Sequence, residues 1–267
     1  MNAVKKRGYL HAGRLLFACL LSYSVLAVCS KSSFLYPMND WVDVHCLFTV
    51  GRGILHGLTP YRDLYEQKGP LVYFFYALAA QISEGSFLGV YLLEGLCFAA
   101  FVHLGGKTAA LLLGRSAAYW PAAAALAGAL LLLLNPWAAL RLSQNTYLMQ
   151  VPREDMPPYR FAQIIRQSED QTLLNYGFLD GGFYFAAGVQ PAGPYFCTLN
   201  ISLPDMEKAL DDSIRQGKTA FVITRSRPLK DSGPYRLADE AEMTFEGRVW
   251  KYYLYQRSGG DASPGQA

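Results

Sequence analysis

The sequence predicts an α-helical membrane region, about three transmembrane helices plus one interfacial helix, followed by a small extracytoplasmic α/β domain. Two observations carry this. Charged residues make up 17% of the 267, against about 25% in an ordinary soluble domain. The deficit is also lopsided. Residues 1–149 hold 11 Lys+Arg and 6 Asp+Glu, whereas residues 150–267 hold 13 and 15. The division is therefore a membrane region over 1–149, with a first extracytoplasmic loop at 31–69, a soluble domain over 150–257, and a tail, 258–267, whose composition is that of a disordered segment. Nucleic acid is excluded as a partner, because the second half is net negative and the basic residues of the first half are scattered around apolar runs.

The first element is a sixteen-residue uncharged run, 15–30, behind a basic N-terminus. It reads as a transmembrane helix, extended backwards by snorkelling of Arg14, or as a signal peptide. The second reading needs cleavage at Ala27-Val28-Cys29, a poor match to small-x-small. Residues 69–83 form the next uncharged run, too short for the ~20 residues of a span and rich in Tyr and Phe, which favour the interface. It reads as an interfacial helix rather than a short span. Residues 86–106 have the length of a span with Glu94 at its centre, and residues 116–140 carry no charge at all.

Orientation follows from positive charge. Lys5, Lys6, Arg7 and Arg14 keep the N-terminus in the cytoplasm. If 70–83 does not cross, Lys107 and Arg115 are cytoplasmic too, and the third crossing carries residues 141–267 outside. The expected localisation is a multi-pass cell membrane.

The second half alternates helical and strand patterns. Phe161, Ile164 and Ile165 have helical spacing, and residues 172–176 read as a buried strand. Asp180 stands where it caps a short helix ended by Gly188. Met206, Ala209, Leu210, Ser213 and Ile214 mark one helix face, stopped by Gly217. Residues 220–224 read as a second buried strand, and Glu246-Gly247 joins the last two as a hairpin. About 105 residues with an apolar face on each element are expected to fold alone. The cysteines show no zinc spacing.

Charged side chains crowd the segment before the interfacial helix: Asp40, Asp43, Arg52, Arg62, Asp63, Glu66 and Lys68. An exposed loop is normally charged. The alternative is a carboxylate kept at the membrane face as a general base, with Arg and Lys for a phosphate leaving group. The string GxxPYRDLYEQKGPLVYF over 57–74, preceded by Asp40 and Asp43, resembles the first extracytoplasmic loop of the GT-C superfamily of membrane glycosyltransferases. That superfamily includes the protein-mannosyltransferase and aminoarabinose-transferase-like enzymes (family 39-like). The tail resembles the C-terminal domain of one branch in PPYRFAQII, LLNYGFLDGGFYFAAG, YFCTLNI and FVITR.

The resemblance implies transfer of a sugar from a lipid-linked, polyprenyl-phosphate donor to an extracytoplasmic acceptor with inversion. It implies Asp43 as base with Asp40 as runner-up. Glu66 and Asp63 would position a substrate, and Arg62 and Lys68 would hold the phosphate. It implies no cofactor and leaves a divalent metal open. Two departures stand out. Glu66 lies two residues before Lys68, where better-known relatives have the acid adjacent, and the chain resembles a copy shortened by loss of middle spans. Glu94, an intramembrane acid, is a further functional candidate, or simply the partner of a polar group at a helix interface. The competing function is a non-catalytic membrane-anchored protein whose α/β domain binds a partner or glycan.

Overall fold

The computed structural model describes residues 3–258, apart from 115–122, 124, 125, 129, 131–133, 136–140, 142, 200, 202, 246 and 247. Its elements run α1 (Ala3–Cys29), α2 (Val42–Leu55), α3 (Pro70–Ile82), α4 (Leu88–Leu113), α5 (Pro157–Arg166), β1 (Leu173–Tyr176), α6 (Phe183–Ala187), α7 (Pro204–Arg215), β2 (Phe221–Arg225), β3 (Tyr235–Phe245) and β4 (Arg248–Arg257), with 3-10 turns at Thr146–Met149 and Arg153–Asp155. They form two compact units. One takes Met1–Met38 and Ser86–Gln150, the other Asn39–Gly85 and Val151–Ala267.

In the first unit α1 packs on α4. Gly95 allows it: a Cβ there would lie 1.9 Å from Cε1 of Tyr23. The Tyr23 hydroxyl then donates to the Leu92 carbonyl at 2.9 Å, and the Tyr91 hydroxyl to the Tyr23 carbonyl at 2.7 Å. Helix α4 is the one helix among the described residues long and apolar enough to cross a membrane. The apolar stretch Leu15–Cys29 of α1 and the whole of α3 are shorter. Most of the run 116–140 read as a third span lies outside the described residues, as do Arg115, the hairpin turn at 246–247 and all but the first residue of the tail.

The second unit holds a four-stranded mixed sheet in the order β1-β2-β4-β3. Strands β1 and β2 are parallel, β2/β4 and β3/β4 antiparallel. A parallel pair needs a long crossover, which the chain supplies through α6 and α7. Phe221, Val222 and Ile223 are buried without alternation, as expected for a strand covered on both faces. Helices α5 and α7 each start on a proline, whose fixed φ suits the first turn. Asp205 and Glu207 at the start of α7 and Arg215 at its end complement the helix dipole. Met206, Leu210 and Ile214 are its buried face.

The first loop is not a separate appendage. Residues 39–85 share one unit with the sheet, and Cys46, Leu47, Val50, Leu64 and Tyr73 belong to the same hydrophobic core as Phe161, Phe183, Phe221 and Leu254. Composition drew the boundary at residue 149 because residues 39–85 lie in the sequence between the apolar runs 15–30 and 86–106. Here α2 is apolar because it is enclosed: every residue from Val44 to Gly53 is buried. Its closest neighbour is α3, admitted by Gly51, where a Cβ would lie 2.5 Å from the Tyr76 carbonyl carbon. Helix α3 buries Tyr73, Ala77, Ala79 and Ala80. Its outer stripe of Leu71, Phe74, Phe75, Leu78 and Ile82 is exposed.

Candidate functional site

The charged side chains of the first loop do not form one cluster. Asp43 sits in the first turn of α2, where a negative charge complements the helix N-terminus. Lys68 precedes Gly69, the residue that opens α3. Its ammonium donates to Asp43 Oδ1 at 2.7 Å and to Glu66 Oε1 at 3.0 Å. Partial burial works against the charged amine, but the hydrogen bonds to Asp43 and Glu66 win and push its pKa up to about 12. Lys68 is therefore a fixed cation between two acids.

Glu66 is fully enclosed and accepts three donors: Lys68 Nζ, the Lys68 backbone N–H at 2.9 Å and the Tyr73 hydroxyl at 2.7 Å. A buried carboxylate survives only when satisfied in this way. Asp43 differs. A third of its side chain is exposed, and its carboxylate makes no second hydrogen bond among the described residues. It is the acid of the cluster that an incoming hydroxyl can reach.

The loop between α2 and Lys68 is strained. Tyr61 has φ +68, a region that non-glycine residues rarely occupy. The strain is held by its N–H to the Leu64 carbonyl at 2.8 Å, its hydroxyl to the Lys68 carbonyl at 2.6 Å, and its ring against Tyr73. Arg62 and Asp63 engage each other through two hydrogen bonds of 2.9 and 2.6 Å, with most of the Arg62 side chain in solvent. The Arg62 side chain, then the Thr59 N–H, hold the Asp63 pKa at about 2. Asp63 locks a turn, and the two charges cancel.

Asp40 is buried, and its charge raises the pKa of His45 and of Tyr252 as a lesser contribution beside their burial. Glu94 belongs to the other unit. It lies near the start of α4 and accepts from Ser30 Oγ at 2.5 Å and Ser32 Oγ at 3.4 Å. Those hydroxyls directly follow α1, so Glu94 ties two helix ends together. Among the described residues no group of three or more His, Cys, Asp or Glu is placed to hold a metal ion. No protein-family model, curated protein or solved structure matches the chain.

A second polar constellation escaped the sequence. His45, Thr49 and Arg52 share one face of α2 at helical spacing. Thr49 Oγ1 donates to Asp180 Oδ2 at 2.7 Å, and Arg52 reaches the Tyr184 carbonyl and, at 3.6 Å, Glu84. Asp180 does not cap α6, whose N-cap is Gly182 with no side-chain cap bond; fully buried, it accepts from Asn175 Nδ2 and the Gly182 N–H in the turn before that helix. Its place before two glycines signals a turn and says nothing of a partner 131 residues earlier. Tyr73 was missed for a similar reason, since a tyrosine in an aromatic run carries no sign of an acid partner.

Proposed function

We propose that the chain is a membrane glycosyltransferase of GT-C type, moving a sugar from a polyprenyl-phosphate donor to an extracytoplasmic acceptor. The observation that carries the reading is the Asp43–Lys68–Glu66 cluster: a reachable carboxylate beside a permanent cation whose position is fixed by a buried acid. In an inverting transfer Asp43 takes the proton from the acceptor hydroxyl as its oxygen attacks the anomeric carbon. The bond to the donor phosphate breaks, and Lys68 stabilises the charge that the phosphate gains. Glu66 and Tyr73 position Lys68. The strained Tyr61 at the same place supports a functional rather than an ornamental loop.

The membrane placement is part of the proposal: three spans, an N-terminus in the cytoplasm and the sheet-bearing unit outside. The exposed apolar stripe of α3 supports its reading as the interfacial helix. A second reading, a non-catalytic membrane-anchored protein whose α/β part binds a partner or glycan, is favoured by one observation. Arg62 and Lys68 already have carboxylate partners, so each must exchange one to hold a phosphate.

The deciding measurement is incorporation of labelled sugar from a polyprenyl-phosphate donor in membranes bearing the wild-type chain or Asp43→Asn. Loss of a general base lowers the rate by about 10²–10⁴. Transfer that persists unchanged in Asp40→Asn, Asp43→Asn and Glu66→Gln would sink the site, and none in the wild type would favour the second reading.

A further inference from the structure

Strands β1 and β2 are parallel, and β1 ends at Tyr176 beside Thr224, one residue before β2 ends at Arg225. Beyond the carboxyl ends of parallel strands is where open α/β sheets keep their ligand crevices. A cleft of about 540 Å³ opens there, with Tyr176, Asp211, Arg225, Arg227 and Lys230 among its walls. That volume suits a monosaccharide derivative or a somewhat larger molecule.

The cleft is built rather than incidental. The segment after β2 turns sharply at Ser226, whose φ is +69. Its backbone is pinned at three points: Ser226 N–H to the Lys251 carbonyl at 2.7 Å, Thr224 Oγ1 to the Arg227 carbonyl at 2.8 Å, and Leu229 N–H to the Tyr255 hydroxyl at 3.1 Å. A loop fixed in this way holds Arg227 and Lys230 at the rim without using their side chains. On the opposite wall the Tyr176 hydroxyl donates to Asp211 Oδ1 at 2.6 Å.

Residues 150–267 carry more acidic than basic residues, yet Arg215, Arg225, Arg227 and Lys230 line the cleft against Asp211 and Asp231. Arg215 pairs with Asp212. None of Arg225, Arg227 and Lys230 pairs with a carboxylate among the described residues. Arg225 is instead held by rings, its guanidinium 4.4 Å from the centroid of Trp250 and 5.3 Å from that of Phe178. Aromatic faces steady a cation without neutralising it. Trp250 and Phe178 are not part of the cleft wall, so Arg225 lends the cleft its backbone and stem. The two cations left at the concave site without a salt-bridge partner, Arg227 and Lys230, suit an anion, and a guanidinium fork suits phosphate and carboxylate oxygens. The Tyr176–Asp211 pair adds acceptors for hydroxyl groups.

We infer that this cleft binds a hydroxylated small anion, a monosaccharide-sized molecule bearing a phosphate or carboxylate group. The inference does not depend on the glycosyltransferase reading. It is tested by calorimetric titration of the full chain in detergent with glucose 1-phosphate, glucuronate, glucose and inorganic phosphate. At least one of the two sugar anions is expected to bind saturably below about 1 mM, more weakly as salt rises. Which one binds tells phosphate from carboxylate. Removing two charge-assisted contacts in Arg227→Ala/Lys230→Ala is expected to weaken binding at least about tenfold. Both residues are exposed, so the melting temperature of that variant should not move. Binding of the same anion should persist in Asp43→Asn, which separates this cleft from the loop cluster. The inference is overturned if neither sugar anion binds. It is equally overturned if glucose binds as well as the anions, inorganic phosphate binds as well as its ester, the double variant binds normally, or binding is lost in Asp43→Asn.

Discussion

The ammonium of Lys68 lies 2.7 Å from Asp43 Oδ1, joining two residues 25 apart in the chain. The contact fastens the first turn of α2 to the segment that enters α3, and it stands over the buried carboxylate of Glu66. Replacing Lys68 by Met keeps the stem and removes the cation. Glu66 then loses one of its three donors and Asp43 its partner. Because a third of Lys68 is in solvent, the cost is discounted to about 1–3 kcal/mol, read as a lower denaturation midpoint. An unchanged midpoint would mean that the cluster carries no structural weight.

Gly51 sets the distance between α2 and α3. In Gly51→Ala the new methyl would meet backbone atoms of Tyr76 and Ala77 at 2.5 and 2.7 Å, which cannot swing away as a side chain can. The helices must part, at about 1–3 kcal/mol or more. Chemical denaturation of the purified chain measures this, and Gly69→Ala, whose Cβ meets nothing within 4 Å, is the control.

His45 is enclosed in α2, with its ring hydrogen-bonded to the Asn39 carbonyl. Burial pushes its pKa below the usual value, outweighing the pull of Asp180, Asn39 and Asp40. In the unfolded chain the imidazole takes up its proton near its ordinary pKa of about 6.5, before the folded one does. Stability therefore falls as pH drops below about 6.5 and does not depend on this group above it. Unfolding free energies of wild type and His45→Gln, compared between about pH 7.5 and 5.5, should diverge at the neutral end or converge at the acid end. A difference constant with pH would refute the linkage.

The outer stripe of α3 is expected to lie in lipid. A nitroxide at Phe74→Cys, in a chain with Cys19, Cys29 and Cys97 changed to Ser, should be relaxed more by oxygen than by a water-soluble nickel chelate in bilayers. The reverse order would place that face in water. Cys46 and Cys197 can stay, since both are buried with their sulfurs 3.9 Å apart.

A fragment of residues 151–257 is expected to melt without a sharp transition, against the view that these residues suffice. It lacks α2, which contributes Cys46, Leu47 and Val50 to the core, and it leaves Asp180 without Thr49. Circular dichroism on heating decides, and a cooperative melt equal to that of the full chain would restore the simpler boundary.

Local signals were enough for much of this. Periodicity marked β1, β2, the terminal hairpin and the buried face of α7, because each is set by which residues a regular backbone turns inward. Glycine at Gly188 and Gly217 marked helix ends, because its φ preference acts within a few residues. The same local reading grouped Asp40, Asp43, Arg62, Asp63, Glu66 and Lys68 as one charged loop. Only the tertiary structure divided them: Asp43, Lys68 and Glu66 together, Arg62 with Asp63, and Asp40 buried. It also decided that α2 belongs with the sheet, and that Thr49 meets Asp180. Apolarity states that a segment must leave water; whether it enters a bilayer or a protein core depends on partners far along the chain, which composition and spacing do not encode.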